Sequence, residues 1–356
     1  MDTPFYTDYV SLKRRKIMKS VHTIGIDLAK SVFQLCAFDK AGKKIINKVL
    51  RRNQVLRFLS NLEPCLIGME ACGSSHYWAR EIKKLGHTVK LMPPQYVKPY
   101  VKTNKNDAAD AEAICEAVSR PNMRFVSVKS EEQQALLLLH RERDGVVKER
   151  TALINRIRAS LQEFGVSIPA GRYRLRIWFR EDFSLIEESL PKVLCHHVKS
   201  MQLRLIDLEN YIESLDDHID GASQESSECQ AIREIPGVGR LTSSALVASV
   251  GDAKAFTSGR QLSAWLGLVP SQHSSGGKSL LLGISKRGDS YLRRMFIHGA
   301  RAVIRHLKPG KPFYEWVMSL QSRMHKNKVI VALANKLVRV VWAVLARDQK
   351  YKAEMI

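Results

Sequence analysis

Val21-His-Thr-Ile-Gly-Ile-Asp27 decides the fold of this chain. It is an apolar run closed by a carboxylate. Two further strand-like runs follow, Val32–Phe38 and Lys44–Leu50, with Ala41-Gly42 marking the turn between them. Next come a helical pattern over Gln54–Leu62 and a second apolar run with an acidic end, Cys65-Leu-Ile-Gly-Met-Glu70. A helix over Tyr77–Leu85 stops at Gly86, where a residue tolerant of left-handed backbone is favoured. A fifth strand, Thr88–Met92, ends at Pro93-Pro94.

Three meandering strands followed by helix, strand, helix, strand is the order of the ribonuclease H fold, an α/β arrangement. In that order Asp27 falls on the first strand and Glu70 on the fourth, so the two emerge close together at one sheet edge. Asp107 and Asp110 lie three apart in Asn106-Asp-Ala-Ala-Asp-Ala111. On a helix over Asp107–Val118 they share a face. Four gathered carboxylates repel one another unless a divalent cation sits among them. Magnesium prefers hard oxygen ligands and retains water. Two such ions clamp the attacking and leaving oxygens of a phosphoryl transfer. Asp27, Glu70, Asp107 and Asp110 are therefore the candidate metal-binding and catalytic residues, with Mg2+ as the expected cofactor.

The bulk composition agrees with a nucleic-acid partner. The 356 residues suffice for two or three domains. Lys and Arg number 57 against 35 Asp and Glu, a formal charge of +22. Such an excess favours a polyanion, with counterion release driving affinity. A membrane is not expected, because the most apolar late stretch, Val329–Leu345, is interrupted by Lys336 and Arg339. No secretory signal is evident at the N-terminus, so export is not expected and a cytoplasmic location is. The six cysteines, Cys36, Cys65, Cys72, Cys115, Cys195 and Cys229, form no CxxC pair. His196 and His197 follow Cys195, but adjacent helix positions diverge and do not converge on a metal. Reduced thiols fit best.

Four segments are expected: a basic N-terminal extension (1–20), an α/β domain (21–128), a helical coiled-coil region (129–228) and a mainly helical C-terminal domain (229–350). The extension holds Lys13-Arg-Arg-Lys16 and Lys19 and reads equally as a nucleic-acid contact or a solvated tail. The helical region carries a heptad, Leu194, Val198, Met201, Leu205, Leu208, Ile212, Leu215 and Ile219. So narrow a seam suits a coiled coil, and pairing between subunits is expected in preference to an internal hairpin. The basic, aromatic stretch Gly171–Arg180 reads as a loop or a nucleic-acid contact.

Ile235-Pro-Gly-Val-Gly239 lies between helical patterns at Cys229–Glu234 and Leu241–Val250, a helix–hairpin–helix arrangement. Pro236, Gly237 and Gly239 would let backbone approach a phosphate, and the next helix offers its N-terminal amides. In so basic a chain the signal is fairly specific, and an ordinary Pro-Gly turn is the less favoured alternative. Pro270-Ser-Gln-His-Ser-Ser-Gly-Gly-Lys278 then reads as a small-residue loop. Lys278, Lys286, Arg287, Arg293 and Arg294 lie near it in sequence as phosphate contacts. A nucleophilic serine there is consistent with the chemistry, but composition does not choose among Ser271, Ser274 and Ser275. Lys328–Arg347 reads as a packing helix with Trp342 in its apolar face.

Gly25-Ile-Asp27, Met69-Glu70-Ala71, Lys105-Asn-Asp-Ala-Ala-Asp-Ala111, Ile235-Pro-Gly-Val-Gly239 and Leu266-Gly-Leu-Val-Pro-Ser271 occur in an order that resembles the DEDD transposases of bacterial insertion sequences. These are bridge-RNA-guided recombinases, and a pilin-gene invertase belongs with them. The resemblance runs from about residue 21 to 346. It implies a Holliday-junction-resolvase-like N-terminal domain, a coiled-coil insert and a C-terminal transposase domain. It makes Asp27, Glu70, Asp107 and Asp110 a magnesium-binding tetrad. It maps the attacking serine to Ser275, with Ser274 adjacent, although Gly277-Lys278 departs from the family's usual loop. It further implies donor and target DNA and a guide RNA as partners. It also implies a homo-oligomer, dimer or tetramer, in which one subunit's tetrad faces another's serine. A junction-resolving nuclease using the same tetrad without a protein nucleophile is the alternative, and a non-catalytic nucleic-acid scaffold the third reading.

Overall fold

The computed structural model describes residues 20–101, 107–275 and 278–353, apart from the side chains of 275, 278 and 279. The basic cluster of the N-terminal extension lies outside them. The chain divides into two compact units between Ser130 and Glu131. The helical region and the C-terminal segment belong to the same unit.

The first unit is built on one sheet. Strands β1 (Thr23–Leu28), β2 (Val32–Phe38) and β3 (Lys44–Arg51) form an antiparallel meander. After helix α1 (Val55–Leu59), β4 (Leu66–Glu70) returns parallel to β1. Helix α2 (Ser75–Lys84) leads to β5 (Thr88–Met92), parallel to β4. The sheet order is β3-β2-β1-β4-β5. β3 is the edge strand and carries exposed Lys44, Asn47 and Lys48, which discourages further pairing.

Alternation along the strands assigns the two faces. Ile24, Ile26, Ile67 and Met69 point to one face and pack with Val55, Leu59, Trp78 and Ile82 of α1 and α2. After the short helix α3 (Pro94–Val97), the other face receives α4 (Asp107–Val118), whose Ala113, Ile114, Ala117 and Val118 bury against it with Met92 and Val97.

The second unit begins with α5 (Glu131–Gln162). Then come α6 (Arg172–Glu181), α7 (Phe183–Ile186) and α8 (Lys192–Gln224). The heptad seam on α8 is covered by the chain's own α5. Val198, Met201 and Leu205 pack with Leu153, Ile154, Ile157 and Leu161, while Ile212 and Leu215 pack with Val146. The expected pairing between subunits through this seam is therefore overturned in favour of the internal hairpin. An a/d stripe needs only one apolar partner helix, and α5 supplies it within the same chain. The basic stretch expected as a loop or contact is mostly the helix α6. Its Leu175 and Trp178 are buried at the hairpin tip, and Arg172 and Arg176 both pair with Glu209.

The remaining chain forms α9 (Ser227–Arg233), α10 (Arg240–Val250), α11 (Gly259–Trp265), the hairpin β6 (Pro270–Ser275) and β7 (Lys278–Ile284), α12 (Ser290–Arg305), α13 (Tyr314–Gln321) and α14 (Lys326–Arg347). Helix α14 is the axis of this core, burying Val329, Ile330, Leu333, Leu337, Val341 and Val344. It is also the one described helix whose length and composition would let it cross a membrane, yet 50% of its apolar window is buried inside this unit.

A buried polar junction ties α5, α10 and α12 together. His140 Nε2 lies 3.0 Å from Ser244 Oγ, and its Nδ1 lies 3.1 Å from Tyr291 Oη. Ser244 donates its own hydroxyl hydrogen to the Arg240 carbonyl at 2.7 Å. The serine oxygen therefore accepts from His140 Nε2–H, and the tyrosine donates to Nδ1. This assigns the neutral imidazole, and burial followed by the neighbouring Arg143 pushes its pKa down to about 4. Nothing in the residues around His140 announced this role.

Candidate metal centre and nucleic-acid interface

The acidic site follows from strand alternation and two glycines. Asp27 sits two residues beyond Gly25 on β1, and Glu70 two beyond Gly68 on β4, so all four positions belong to the α4 face. Gly25 and Gly68 are paired in register. A Cβ on Gly25 would lie 2.1 Å from the Ala111 carbonyl oxygen and 2.6 Å from the Cys115 nitrogen. A Cβ on Gly68 would lie 2.8 Å from Val118 Cβ. The two bare backbones form a seat on which α4 lies directly against the sheet. This seat sets the first turn of α4, with Asp107 and Asp110, over the ends of β1 and β4.

Carboxylate oxygens of Asp27, Asp107 and Asp110 lie within 4.8 Å of one another. Asp27 and Asp110 are half-buried and Asp107 is exposed. Glu70 is outside that close set but ends the neighbouring strand. Its charge and that of Asp27 both reach Cys72, whose thiol pKa is raised first by burial and then by these two carboxylates. In the sequence Cys72 is one thiol among six. All six cysteines are free thiols, and that of Cys72 feels the charges of Glu70 and Asp27. The donor set is hard oxygen throughout the three-carboxylate group, which fits a magnesium-type ion.

The second unit holds the remaining candidates. Helix, turn and helix occur where expected, as α9, the turn 234–239 and α10. The reason for one of the turn glycines differs from the expectation. Gly237, at φ +88°, faces protein: its Cβ would lie 2.8 Å from Val303 Cγ2 and 3.0 Å from the Gly299 carbonyl oxygen. It permits the turn to touch α12 on that side. Gly239 has no atom within 4 Å of an added Cβ and remains open. Pro236 is half-buried in the same turn.

The segment expected as a small-residue loop is largely the β6–β7 hairpin, in which Ser274 pairs with Ser279 and Ser275 with Lys278. Ser271 is also in β6 and donates to the Gly283 carbonyl. Ser274 is exposed and accepts from Gln272 Nε2 at 2.6 Å. Ser275 ends β6, but its side chain and that of Lys278 lie outside the described residues, as do residues 276–277. Lys286 and Arg287 are exposed. Arg293 donates to the carbonyls of Leu266 and Arg287 at 3.0 Å each, and Arg294 pairs with Asp144. These last two cations thus have internal partners that the sequence did not disclose.

The chain is thus of an acid-centred class: β1 and the first turn of α4 bring three carboxylates together in one unit, and the helical unit that follows in sequence carries a serine-bearing hairpin. Comparison with known proteins narrows it. A family profile described as "Transposase" (DEDD, IS110 type) matches residues 24–166. A second, described as "Transposase IS116/IS110/IS902 family", matches residues 229–315. The chain is 46% identical over 331 residues to a probable family 20 transposase of Pseudomonas aeruginosa, covering 92% of this chain and 98% of that one. It is 44% identical over 345 residues to the transposase for insertion sequence element IS1111A of Coxiella burnetii, covering 96% and 94%. More distantly, it is 23% identical over 352 residues to a pilin gene-inverting protein of Moraxella bovis, covering 92% and 97%. The chain belongs to the IS110-type DEDD transposase family.

Proposed function

We propose that this protein cuts and rejoins DNA to mobilise an insertion sequence, with Asp27, Asp107, Asp110 and Glu70 as the acidic centre and Ser275 as nucleophile. The observation that carries the reading is the approach of Asp27, Asp107 and Asp110 to within 4.8 Å. Three carboxylates at that separation repel one another, and a divalent cation among them would relieve that repulsion. Magnesium held there would act as a Lewis acid toward phosphoryl oxygens and the attacking hydroxyl.

The strand order β3-β2-β1-β4-β5 supports a ribonuclease H-like, junction-resolvase-like unit for residues 21–128, and the helical region and C-terminal segment complete the chain at 129–228 and 229–350. A free serine hydroxyl is a weak nucleophile, so Ser275 must be activated by its surroundings. Its attack would form a serine–DNA phosphoester as the other DNA end leaves as a hydroxyl, conserving bond energy for rejoining. The exposed Lys286 and Arg287, the open Gly239 backbone and the charge of +22 support binding of DNA and of a structured guide RNA. Base pairing through such a guide would supply sequence specificity while the protein reads backbone and shape. A composite site in a dimer or tetramer stays part of the proposal. The α8 seam does not support it.

The deciding experiment incubates protein, magnesium, guide RNA and labelled donor and target DNA, denatures the mixture and looks for a protein–DNA adduct. Wild type should give an adduct that Ser275→Ala loses and Ser274→Ala keeps. Asp27→Asn should lose cleavage while retaining nucleic-acid affinity. Cut DNA without adduct in any sample would replace this reading with metal-dependent hydrolysis of junctions.

A further inference from the structure

Helix α14 buries one face in the core of the second unit and leaves the other along a cavity of about 1170 Å³. The cavity is walled by α11, the base of the β6–β7 hairpin, α13 and α14. Five cations line it, Arg260, Lys328, Lys336, Arg339 and Arg347, and no Asp or Glu does. Among the described residues, Arg260, Lys328, Arg339 and Arg347 form no salt bridge. Lys328, Lys336, Arg339 and Arg347 recur along one helix face, so the first and last stand roughly 28 Å apart on the axis. Mutual repulsion is felt within the row: burial and then Arg339 lower the pKa of Lys336. A concentration of one sign in a concave wall focuses potential and attracts a polyanion.

Two tryptophans accompany the cations. Lys336 Nζ lies 4.6 Å from the centre of the Trp316 ring, and the Arg347 guanidinium lies 5.7 Å from that of Trp342. Both indoles are half-buried. Trp342 is fixed in plane by its Nε1–H, which is directed at the carbonyls of Ala253 and Phe256 at 3.2 and 3.1 Å. Each aromatic surface is therefore paired with a cation at a fixed place. A polynucleotide strand presents the same alternation, a flat base beside a phosphate. Duplex DNA keeps its bases stacked inside and cannot offer them to an indole, whereas a single strand can. A lipid surface would meet cations on a convex face, not recessed ones.

We infer that the α14 groove binds a single-stranded nucleic-acid segment, with Lys328, Arg339 and Arg347 on phosphates and Trp316 and Trp342 against bases. The groove is built wholly from elements of the second unit, the base of the β6–β7 hairpin among them, and its existence does not depend on how strands are cut. Whether the strand is DNA opened during exchange or an unpaired stretch of RNA is separable by experiment, because the 2′-hydroxyl is the only chemical difference the sugar presents.

The test measures anisotropy of labelled oligodeoxyuridine, oligouridine and duplex DNA with the full-length protein across a salt series. Phosphatidylserine vesicles serve as a competing anionic surface. Lys328→Gln/Arg347→Gln, both at exposed positions, should lower the slope of log affinity against log salt by about two for single strands. Trp316→Ala should weaken single-strand binding by roughly tenfold, and Trp316→Phe should restore most of it. A preference for one oligomer names the source as DNA or RNA. Unfolding of Trp316→Ala would leave the charge variant and Trp316→Phe to decide. Equal single-strand binding by wild type and the charge variant overturns the inference, as does a variant effect confined to duplex or vesicles. Asp27→Asn binding the oligomers normally would keep the groove standing even if the cleavage reading failed.

Discussion

At the scale of residues, the positions that matter most are two that have no side chain. Asp27, Asp107 and Asp110 carry the charge, but Gly25 and Gly68 decide that they meet. The atoms that an added Cβ on Gly25 would strike, the Ala111 carbonyl at 2.1 Å and the Cys115 nitrogen, are backbone and cannot rotate away. Gly25→Ala should therefore lift α4 from the sheet and carry Asp107 and Asp110 with it. Overpacking of this kind costs about 1–3 kcal/mol, and a displacement near 1 Å at a reacting centre costs on the order of a hundredfold in rate. The expected result is a lower melting temperature and magnesium-dependent cleavage reduced about a hundredfold, with DNA affinity retained. Gly73→Ala, where an added Cβ meets nothing within 4 Å, is the matched control and should cleave normally. Wild-type cleavage by Gly25→Ala would show that the helix seat is not what sets the site.

Among the elements, the α5–α8 hairpin corrects the plainest inference from the heptad. The pattern of apolar residues on α8 was legible, and the residues it marked do form a seam. What the pattern lacks is any statement of whose helix fills it, because an a/d stripe is identical for an internal and an external partner. Ile212 lies in the internal seam beside Val146 and Leu215. Ile212→Asp would bury an unpaired carboxylate there, at a cost of about 3 kcal/mol or more. Thermal unfolding followed by circular dichroism should show a large loss of stability, and light scattering should show the folded protein's mass unchanged. A lower mass with helix content intact would return the seam to a subunit interface. The serine hairpin teaches a similar lesson. Pro, Ser and Gly suggested a loop, but the strand after them, Lys278–Ile284, is apolar enough to pair with β6, and tertiary pairing overrode the local propensity.

For the whole molecule, the charge of +22 is spread over both units and is the property that a polyanion meets first. If six to ten phosphates are contacted, affinity for nucleic acid should fall by about 10³–10⁵ between 50 and 200 mM salt. Titrating a labelled DNA or RNA over that range measures it directly. Affinity that is flat in salt would mean that the basic excess serves solubility and not binding.

The sequence by itself determined the sheet and the placing of its acidic residues. Strand alternation is a local property with a period of two, so it placed Asp27 and Glu70 on adjacent strand ends, and the spacing of Asp107 and Asp110 placed both on one helix face. The tertiary structure alone decided the rest. The role of Gly237 against Gly299, the neutral His140 between Ser244 and Tyr291, the internal partners of Arg293 and Arg294, the partner of the α8 seam and the cationic groove along α14 all join residues far apart in the chain. Periodicity reports which face of an element is apolar. It carries no information about which distant element covers that face, or about which cations folding leaves without a carboxylate.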